Sequence, residues 1–255
     1  MLSISIVIAT YNAALTLQSC LDSIIPQLTD QVELLIIDGN STDNTPQIIL
    51  NNKENIKFWL SEPDRGIYDA WNKGILHADG KWIMFIGADD RLMPNAISTF
   101  LQLLTEHPNI ENYDYICARN QYVDYNGNFI TYIGKPVKWN ENRRRMVAAH
   151  VGSLHNKGNL FDKLGLYDLN YRICADYELL LRKKDSLKSL FIPKTIAVMA
   201  IGGMSFSVDA VYETYKIRKR HKTVPSYLNC LLFFYDLMLY KSFSIRKSIF
   251  KKNRT

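Results

Sequence analysis

Residues 83–91 read IMFIGADDR, in which Ile83, Met84, Phe85 and Ile86 run into Gly87, Ala88 and two adjacent acids, Asp89 and Asp90. Four large apolar side chains in a row leave no polar face. The run therefore reads as a strand covered on both sides, the pattern of a central strand in a parallel sheet. Carboxylates at the end of such a strand are costly unless a cation or hydrogen-bond donors meet them.

The preceding stretches repeat that plan. SISIVIAT (3–10), VELLIID (32–38) and IKFWLSE (56–62) are short apolar runs, and LTLQSCLDSIIPQL (15–28) has apolar positions at helical spacing. PQIILNNKE (46–54) reads as a helix opened by Thr45 with Pro46 in its first turn, and DAWNKGILHA (69–78) as another. Strand and helix in alternation imply right-handed crossovers and a parallel sheet flanked by helices. Ligands of such sheets bind outside the carboxyl ends of the strands. TYN (10–12), DGNSTD (38–43), EPDRG (62–66) and GADD (87–90) all fall there. Beyond Asp90 the pattern loosens. Residues 113–134 read as two strands joined at Asn126-Gly127, a helix begins near Ala175, and 189–203 contains further strands.

The 255 residues suit one large α/β domain or one domain with an appendage, and 47% hydrophobic against 22% charged residues is a globular balance. Cys20, Cys117, Cys174 and Cys230 have no metal-type or CxxC spacing, which suits buried thiols in a reducing compartment. MLSISIVIATYN lacks a basic n-region and reads as a first strand rather than a signal peptide. The net charge of +6 is concentrated at one end. From Tyr212 onward there are 11 Lys+Arg against 2 Asp+Glu, and before it 20 against 23. Such asymmetry points to a polyanionic surface, either nucleic acid or anionic lipid. No nucleic-acid motif accompanies it. The apolar run LNCLLFFYDLMLY (228–240) holds Asp236 and falls short of the roughly twenty residues needed to span a bilayer. With Lys and Arg on either side, it reads as an interfacial amphipathic segment or as a helix packed on the domain.

Several acids suit chemistry at the ligand edge. Asp38 can accept a hydrogen bond from a base N–H, although Asp, Asn, Ser and Thr are also ordinary turn residues. Asp89 and Asp90 can hold a hard divalent cation that neutralises a diphosphate leaving group, or Asp90 can simply cap the turn. Asp176, at the start of a helix, is a candidate general base or a first-turn acid. His150 and His155 flank a Gly/Ser turn without zinc-type spacing.

SIVIATYN, VELLIIDGNSTDNT, EPDRGIYDAWNKGI and GKWIMFIGADD together resemble the family 2 inverting glycosyltransferases, above all the bacterial enzymes that build O-antigen and other surface polysaccharides. The likeness continues more loosely through 150–182 and IGGMS to about residue 205. It implies a GT-A-type nucleotide-sugar-binding α/β fold, a central mostly parallel sheet flanked by helices, to which composition alone adds a C-terminal amphipathic extension. Residues 1–211 would form the glycosyltransferase domain (1–90 the nucleotide-binding half, 91–211 the acceptor and catalytic half) and 212–255 the basic extension. By the same resemblance Thr10, Tyr11 and Asn12 would line the base and ribose pocket and Asp38 would bond the base, uracil. Asp64, Arg65 and Lys73 would frame base and diphosphate, with Asp90 beside them. Asp89 would bind Mn²⁺ or Mg²⁺, Asp176 would be the base, and Gly202, Gly203 and Ser205 would form a loop near the diphosphate.

The chain departs from the family pattern in two places. Gly87 stands where the family commonly has an acid, and Ala175 replaces the first member of a Glu-Asp pair. The implied reaction moves a hexose from a UDP-sugar to a lipid-diphosphate-linked saccharide at the inner face of the cytoplasmic membrane. His150, Arg143, Arg144 and Arg145 are candidate partners of the acceptor and its diphosphate. The protein would be cytoplasmic and peripherally attached, binding no nucleic acid. A nucleotidyltransferase and a non-catalytic nucleotide-sugar-binding protein are the alternatives. The former would usually need a Gly-rich cationic loop after the first strand, which ATYNAALTL does not offer.

Overall fold

The computed structural model describes residues 3–124, 126–200, 203 and 205–252, with side chains to residue 242. Four parallel strands form its first half: β1 (Ile4–Thr10), β2 (Val32–Asp38), β3 (Phe58–Ser61) and β4 (Trp82–Gly87), in the spatial order β3-β2-β1-β4. The register pairs Thr10 with Asp38 and Asp38 with Ser61, so the polar ends of three strands finish level. Three helices cross between them: α1 (Leu17–Ile24), α2 (Thr45–Asn51) and α3 (Ile67–His77). β4 is buried throughout, as the apolar run of IMFIGADDR requires. Its side chains alternate between two cores. Met84 and Ile86 join α1 on one face, while Ile83 and Phe85 join Trp71 and Ile75 of α3 on the other.

The second half brings antiparallel strands to the sheet. After β5 (Arg91–Leu92) and α4 (Ala96–Glu106) come β6 (Tyr115–Val123), β7 (Phe129–Ile133), the short α5 (Trp139–Asn142), β8 (Leu154–Asn156), α6 (Ala175–Arg182) and β9 (Ser189–Ala200). The order continues β4-β8-β6-β9-β5, with β8 antiparallel to both neighbours and β6 parallel to β9. β6 and β7 form the expected hairpin, closed by Asp124 Oδ1 accepting from the Asn126 and Asn128 N–H groups, with Gly127 at φ +82°. Of residues 189–203, where further strands are expected, the described stretch 189–200 is a single strand. Its register with β6 jumps from Ile192 to Thr195, because Pro193 has no N–H for the ladder.

Two helices follow, α7 (Val208–His221) and α8 (Ser226–Lys252). α7 runs across the 211/212 boundary and packs on α6 and α8. Arg218 of α7 is wholly buried. It donates to Asn229 Oδ1 (2.8 Å) and Asp236 Oδ2 (3.0 Å) of α8 and to Arg144 O (2.7 Å). A buried ion pair thus ties α7 to α8, and the bond to Arg144 O ties them to the body of the protein. Among the described residues no helix is long and apolar enough to cross a membrane.

Candidate active site

The loops after β1, β2 and β3 are laced by hydrogen bonds to carboxylates and amides. Asp38, fully buried, accepts from Thr10 Oγ1 (2.8 Å), Ser41 N (2.9 Å), Ser41 Oγ (2.5 Å) and Ser61 Oγ (2.6 Å). Those four donors account for the four lone-pair directions of a carboxylate. A nucleobase bonding here would displace one of them, and Asp38 stands first as the knot that joins three loop ends. Asn12, at φ +48°, accepts from Thr42 N through its side chain, while its own N–H reaches Ser41 Oγ. Asp43 accepts from the Ala14 and Thr45 N–H groups. The Thr45 hydroxyl above all, and then these bonds, hold its carboxyl below the ordinary carboxylate range.

Gly39 lies at the centre of this edge. A Cβ there would stand 2.5 Å from Asp64 Oδ2 and 3.4 Å from the Tyr11 ring, so glycine lets all three loops converge. Tyr11 is 67% exposed, its ring open to a flat ligand. Asp64 Oδ1 accepts from Gly66 N (2.9 Å), which leaves Oδ2 over Gly39. Lys73 pairs with Glu62 (2.9 Å) and donates to Pro63 O, bracing this loop from below. Arg65 is exposed and pairs with Asp69 at 3.3 Å.

At the end of β4 the two acids part company. Asp89 is exposed, whereas Asp90 is buried and turns back to accept from Gly87 N (3.1 Å). Burial, and then the negative charge of Asp89, push the Asp90 carboxyl well above its ordinary range, with the Gly87 N–H opposing them. A Cβ on Gly87 would stand 2.7 Å from Asp90 Oδ2 and 2.9 Å from Asp89 Oδ1. Two carboxylate oxygens therefore converge on the space that a side chain at position 87 would take. This pair fits a hard divalent cation, which commonly takes one or two protein carboxylates and completes its shell from phosphate and water. Among the described residues no third acid, His or Cys joins the pair. Asp89 and Gly203 line one cavity of about 520 Å³ with Thr16, Ser19 and Arg91. Ser205 lies beside Gly203, and Gly202 lies outside the described residues.

Asp176 stands in the first turn of α6. The Tyr68 hydroxyl (2.9 Å) and the Tyr177 N–H (2.8 Å) both go to its Oδ1, while Oδ2 faces His150 Nδ1 at 4.0 Å. Burial pushes the carboxyl up, opposed by those donors. Burial also lowers His150 to about 3, so its imidazole is neutral and the contact is not an ion pair. His150 stacks on Phe85 (5.4 Å between ring centres) and lies against Trp71 (4.8 Å) and His155 (4.7 Å). Around this point both His150 nitrogens, Trp71 Nε1 and Tyr167 Oη are buried without a hydrogen-bond partner. Native interiors rarely leave such groups unpaired, so their gathering beside a carboxylate marks a place built to receive polar atoms.

The turn that carries Asp176 is held from α7. Glu213 Oε1 accepts from Arg172 N (2.8 Å), and Oε2 accepts from Ile173 N and Cys174 N (both 2.9 Å). The three arginines lie apart from this cluster. Arg144 and Arg145 line a separate cavity of about 510 Å³ with Lys135 and Leu232, and Arg145 reaches Asp236 at 3.7 Å. Arg143 is half-buried with its Nε unpartnered. Sequence reasoning did not reach Tyr68, Trp71, Tyr167, Glu213 or Arg218. Tyr68 and Trp71 are inside EPDRGIYDAWNKGI, but helix α3 hides which face they turn. The partners of Glu213 lie some forty positions away, beyond any local signal.

A parallel nucleotide edge, joined to a mixed half-sheet that raises a carboxylate beside it, is the GT-A glycosyltransferase arrangement. The solved structures it resembles agree. TarS residues 1–349 of S. aureus in complex with UDP-GlcNAc superimposes with a TM-score of 0.71 at 15% identity, over 92% of this chain and 72% of that one. The mannosyltransferase PcManGT of Pyrobaculum calidifontis, in complex with GDP-Man and Mn²⁺, gives 0.61 at 14% identity, over 94% and 75%. In sequence, a PGL/p-HBAD biosynthesis glycosyltransferase of Mycobacterium tuberculosis (strain ATCC 25177 / H37Ra) is 33% identical over 183 residues, 70% of this chain and 68% of that one. An uncharacterized glycosyltransferase of Haemophilus influenzae is 26% identical over 186 residues, 70% and 61% of the two chains. The Glycosyl transferase family 2 pattern matches residues 5–169, and the chain belongs to that family. It is a glycosyltransferase, which sets aside the nucleotidyltransferase and the non-catalytic alternatives.

Proposed function

We propose that the enzyme transfers a hexose from a UDP-sugar to a lipid-diphosphate-linked saccharide with inversion, as in the assembly of O-antigen-like surface polysaccharides. The observation that carries this reading is Asp176, a carboxylate with Oδ1 taken by two donors and Oδ2 turned toward a group of buried, unpartnered polar atoms. Burial raises its proton affinity, which suits a general base. Oδ2 takes the proton of an acceptor hydroxyl, the acceptor oxygen bonds to the anomeric carbon, and the anomeric bond to the diphosphate breaks with its electrons leaving on UDP. A single displacement converts an α-linked donor to a β-glycoside. Tyr11, Asn12 and Asp64 border the base and ribose, with Thr10 and Asp38 fixing their loops and Lys73 and Arg65 on the diphosphate side. Asp89 and Asp90 would hold Mn²⁺ or Mg²⁺, which when bound supplies charge neutralisation for the leaving diphosphate.

The acceptor reading draws on the C-terminal helices. Tyr227, Leu231, Phe234, Met238 and Leu239 are exposed at helical spacing along α8, and Lys216, Lys219, Lys222 and Lys241 stand on α7, the turn after it and α8. An apolar stripe among cations suits the interface of an anionic bilayer. There Arg143, Arg144 and Arg145 would meet the acceptor's diphosphate.

UDP release, measured with Mn²⁺, a panel of UDP-sugars and a lipid-diphosphate saccharide, tests the reaction. Release with one donor that needs the acceptor supports it, and none with any donor overturns it. The triple variant L231D/F234D/M238D tests the surface without removing the partners of Arg218. It should leave the fold intact and abolish flotation with phosphatidylglycerol vesicles, and undiminished flotation would place the anchor elsewhere.

A further inference from the structure

Tyr68 sits where two acceptors meet. Its hydroxyl oxygen is 2.7 Å from Ile173 O and 2.9 Å from Asp176 Oδ1. A phenol has one proton to give, and a peptide carbonyl can only accept. Two arrangements answer this conflict. With Asp176 protonated, the carboxyl donates to Tyr68 Oη and Tyr68 donates to Ile173 O. With Asp176 ionised, the Tyr68 proton turns to Oδ1, where a hydrogen bond to a charged oxygen is roughly twice as strong as a neutral one.

We infer that Tyr68 is a positioning residue for the transfer: its hydroxyl turns between Ile173 O and Asp176 Oδ1 with the charge of the carboxyl, and by occupying Oδ1 in the ionised form it directs Oδ2 to the acceptor. The inference rests on the reading of Asp176 as the base. Both contacts are held in register by other parts of the fold. Tyr68 is buried on α3 among Trp71 and Tyr167, at 5.3 and 5.2 Å between ring centres. The Ile173 carbonyl shares its peptide plane with the Cys174 N–H, which Glu213 holds, so it cannot follow the phenol. Facing the carboxyl are Tyr68 of α3, His150 before β8, Tyr115 of β6, Tyr167 and Cys174 before α6, and, through the peptides it holds, Glu213 of α7. Burial drives the three phenols well above their ordinary range, Cys174 up to about 12 and His150 down to about 3. None of these five changes charge near neutrality, which leaves a titration of Asp176 readable.

The test needs no substrate. Protein labelled with ¹³C-aspartate is titrated by NMR, and the Asp176 carboxyl resonance is assigned by its loss in D176N. Y68F removes the donor and should raise the Asp176 midpoint by about one pH unit, a roughly tenfold gain in proton affinity. Replacing Tyr68 with 3,5-difluorotyrosine keeps the shape and strengthens the donor, so the midpoint should fall. With a donor and acceptor in hand, the acidic limb of the transfer rate should move with each midpoint. Loss of side-chain packing alone would lower the rate equally at every pH. An unchanged midpoint in both variants, or shifts of the same sign, overturns the positioning role. If D176N has meanwhile lost transfer, the base assignment survives that result. If D176N transfers normally, the base and the positioning role fall together.

Discussion

Asp38, at the end of β2, and Asp176, at the start of α6, are carboxylates whose surroundings differ in kind. Asp38 accepts four hydrogen bonds from its own chain and closes the nucleotide edge on itself. Asp176 has its two donors on one oxygen and, beside the other, a neutral histidine and a set of unpartnered polar atoms. The first is finished without a ligand, whereas the second is complete only when something binds. A carboxylate satisfied by its own chain builds shape. One left half-satisfied in a buried pocket keeps its basicity available for chemistry.

The contrast can be broken by exchanging each acid for its amide. D176N should lower transfer by about 10²–10⁴-fold, the usual worth of a placed base, with UDP affinity unchanged by calorimetry. Retained turnover would erase the distinction between the two acids. R218M tests whether the acceptor side depends on the C-terminal helices. Losing the bonds of the buried Arg218 to Asn229, Arg144 O and Asp236 should cost about 1–3 kcal/mol in urea unfolding, with Asp236 keeping Arg145. Removing everything after Pro225 should do likewise, since Asn229 and Asp236 both leave. D38N turns an acceptor of four donors into a group that also donates. It should lose about 1–3 kcal/mol of stability by the same assay and weaken UDP binding, while leaving any pH dependence of the chemistry in place.

The smallest effect sharpens the comparison most. The folded-state pKa of Asp176 is raised, so the native protein binds that proton more tightly than the unfolded chain, and stability falls as pH rises from the ordinary carboxylate range through the folded value. D176N should therefore melt above the wild type near neutral pH, and the gap should close below about pH 4. A melting curve for D176N that lies below the wild type at pH 7 would show Asp176 to be structural.

The two regions also differ in how far sequence reached them. The nucleotide edge is built from consecutive strand ends, where continuous apolar runs stop at acids and small polar residues, so Asp38, Asp89 and the parallel pairing could be read locally, and Asp64 followed from the family resemblance. The position of Gly87 could be read, but not its meaning, because the space it opens is filled by Asp89 and Asp90 folding back. On the acceptor side Asp176 and His150 were visible as residue types. Tyr68, Glu213 and the orphaned atoms of Trp71 and Tyr167 were not, because each acts across a long separation that only the packed fold creates. The basic run 143–145 drew attention through charge. Its peptide carbonyls do as much, accepting from Thr223 and Arg218.

Arg218 has a consequence in time. The segment carrying Asp176 leaves the ribosome well before Asp236, which lies sixty positions later. At about 5–20 residues per second that is a wait of about 3–12 s. The nucleotide edge can close as soon as its strands emerge. The turn that carries Asp176, braced by Glu213 on a helix that Arg218 ties to α8, is finished last. A newborn chain can thus hold its nucleotide edge before the turn that carries Asp176 is fixed, and the apolar stripe of α8 emerges in that same interval.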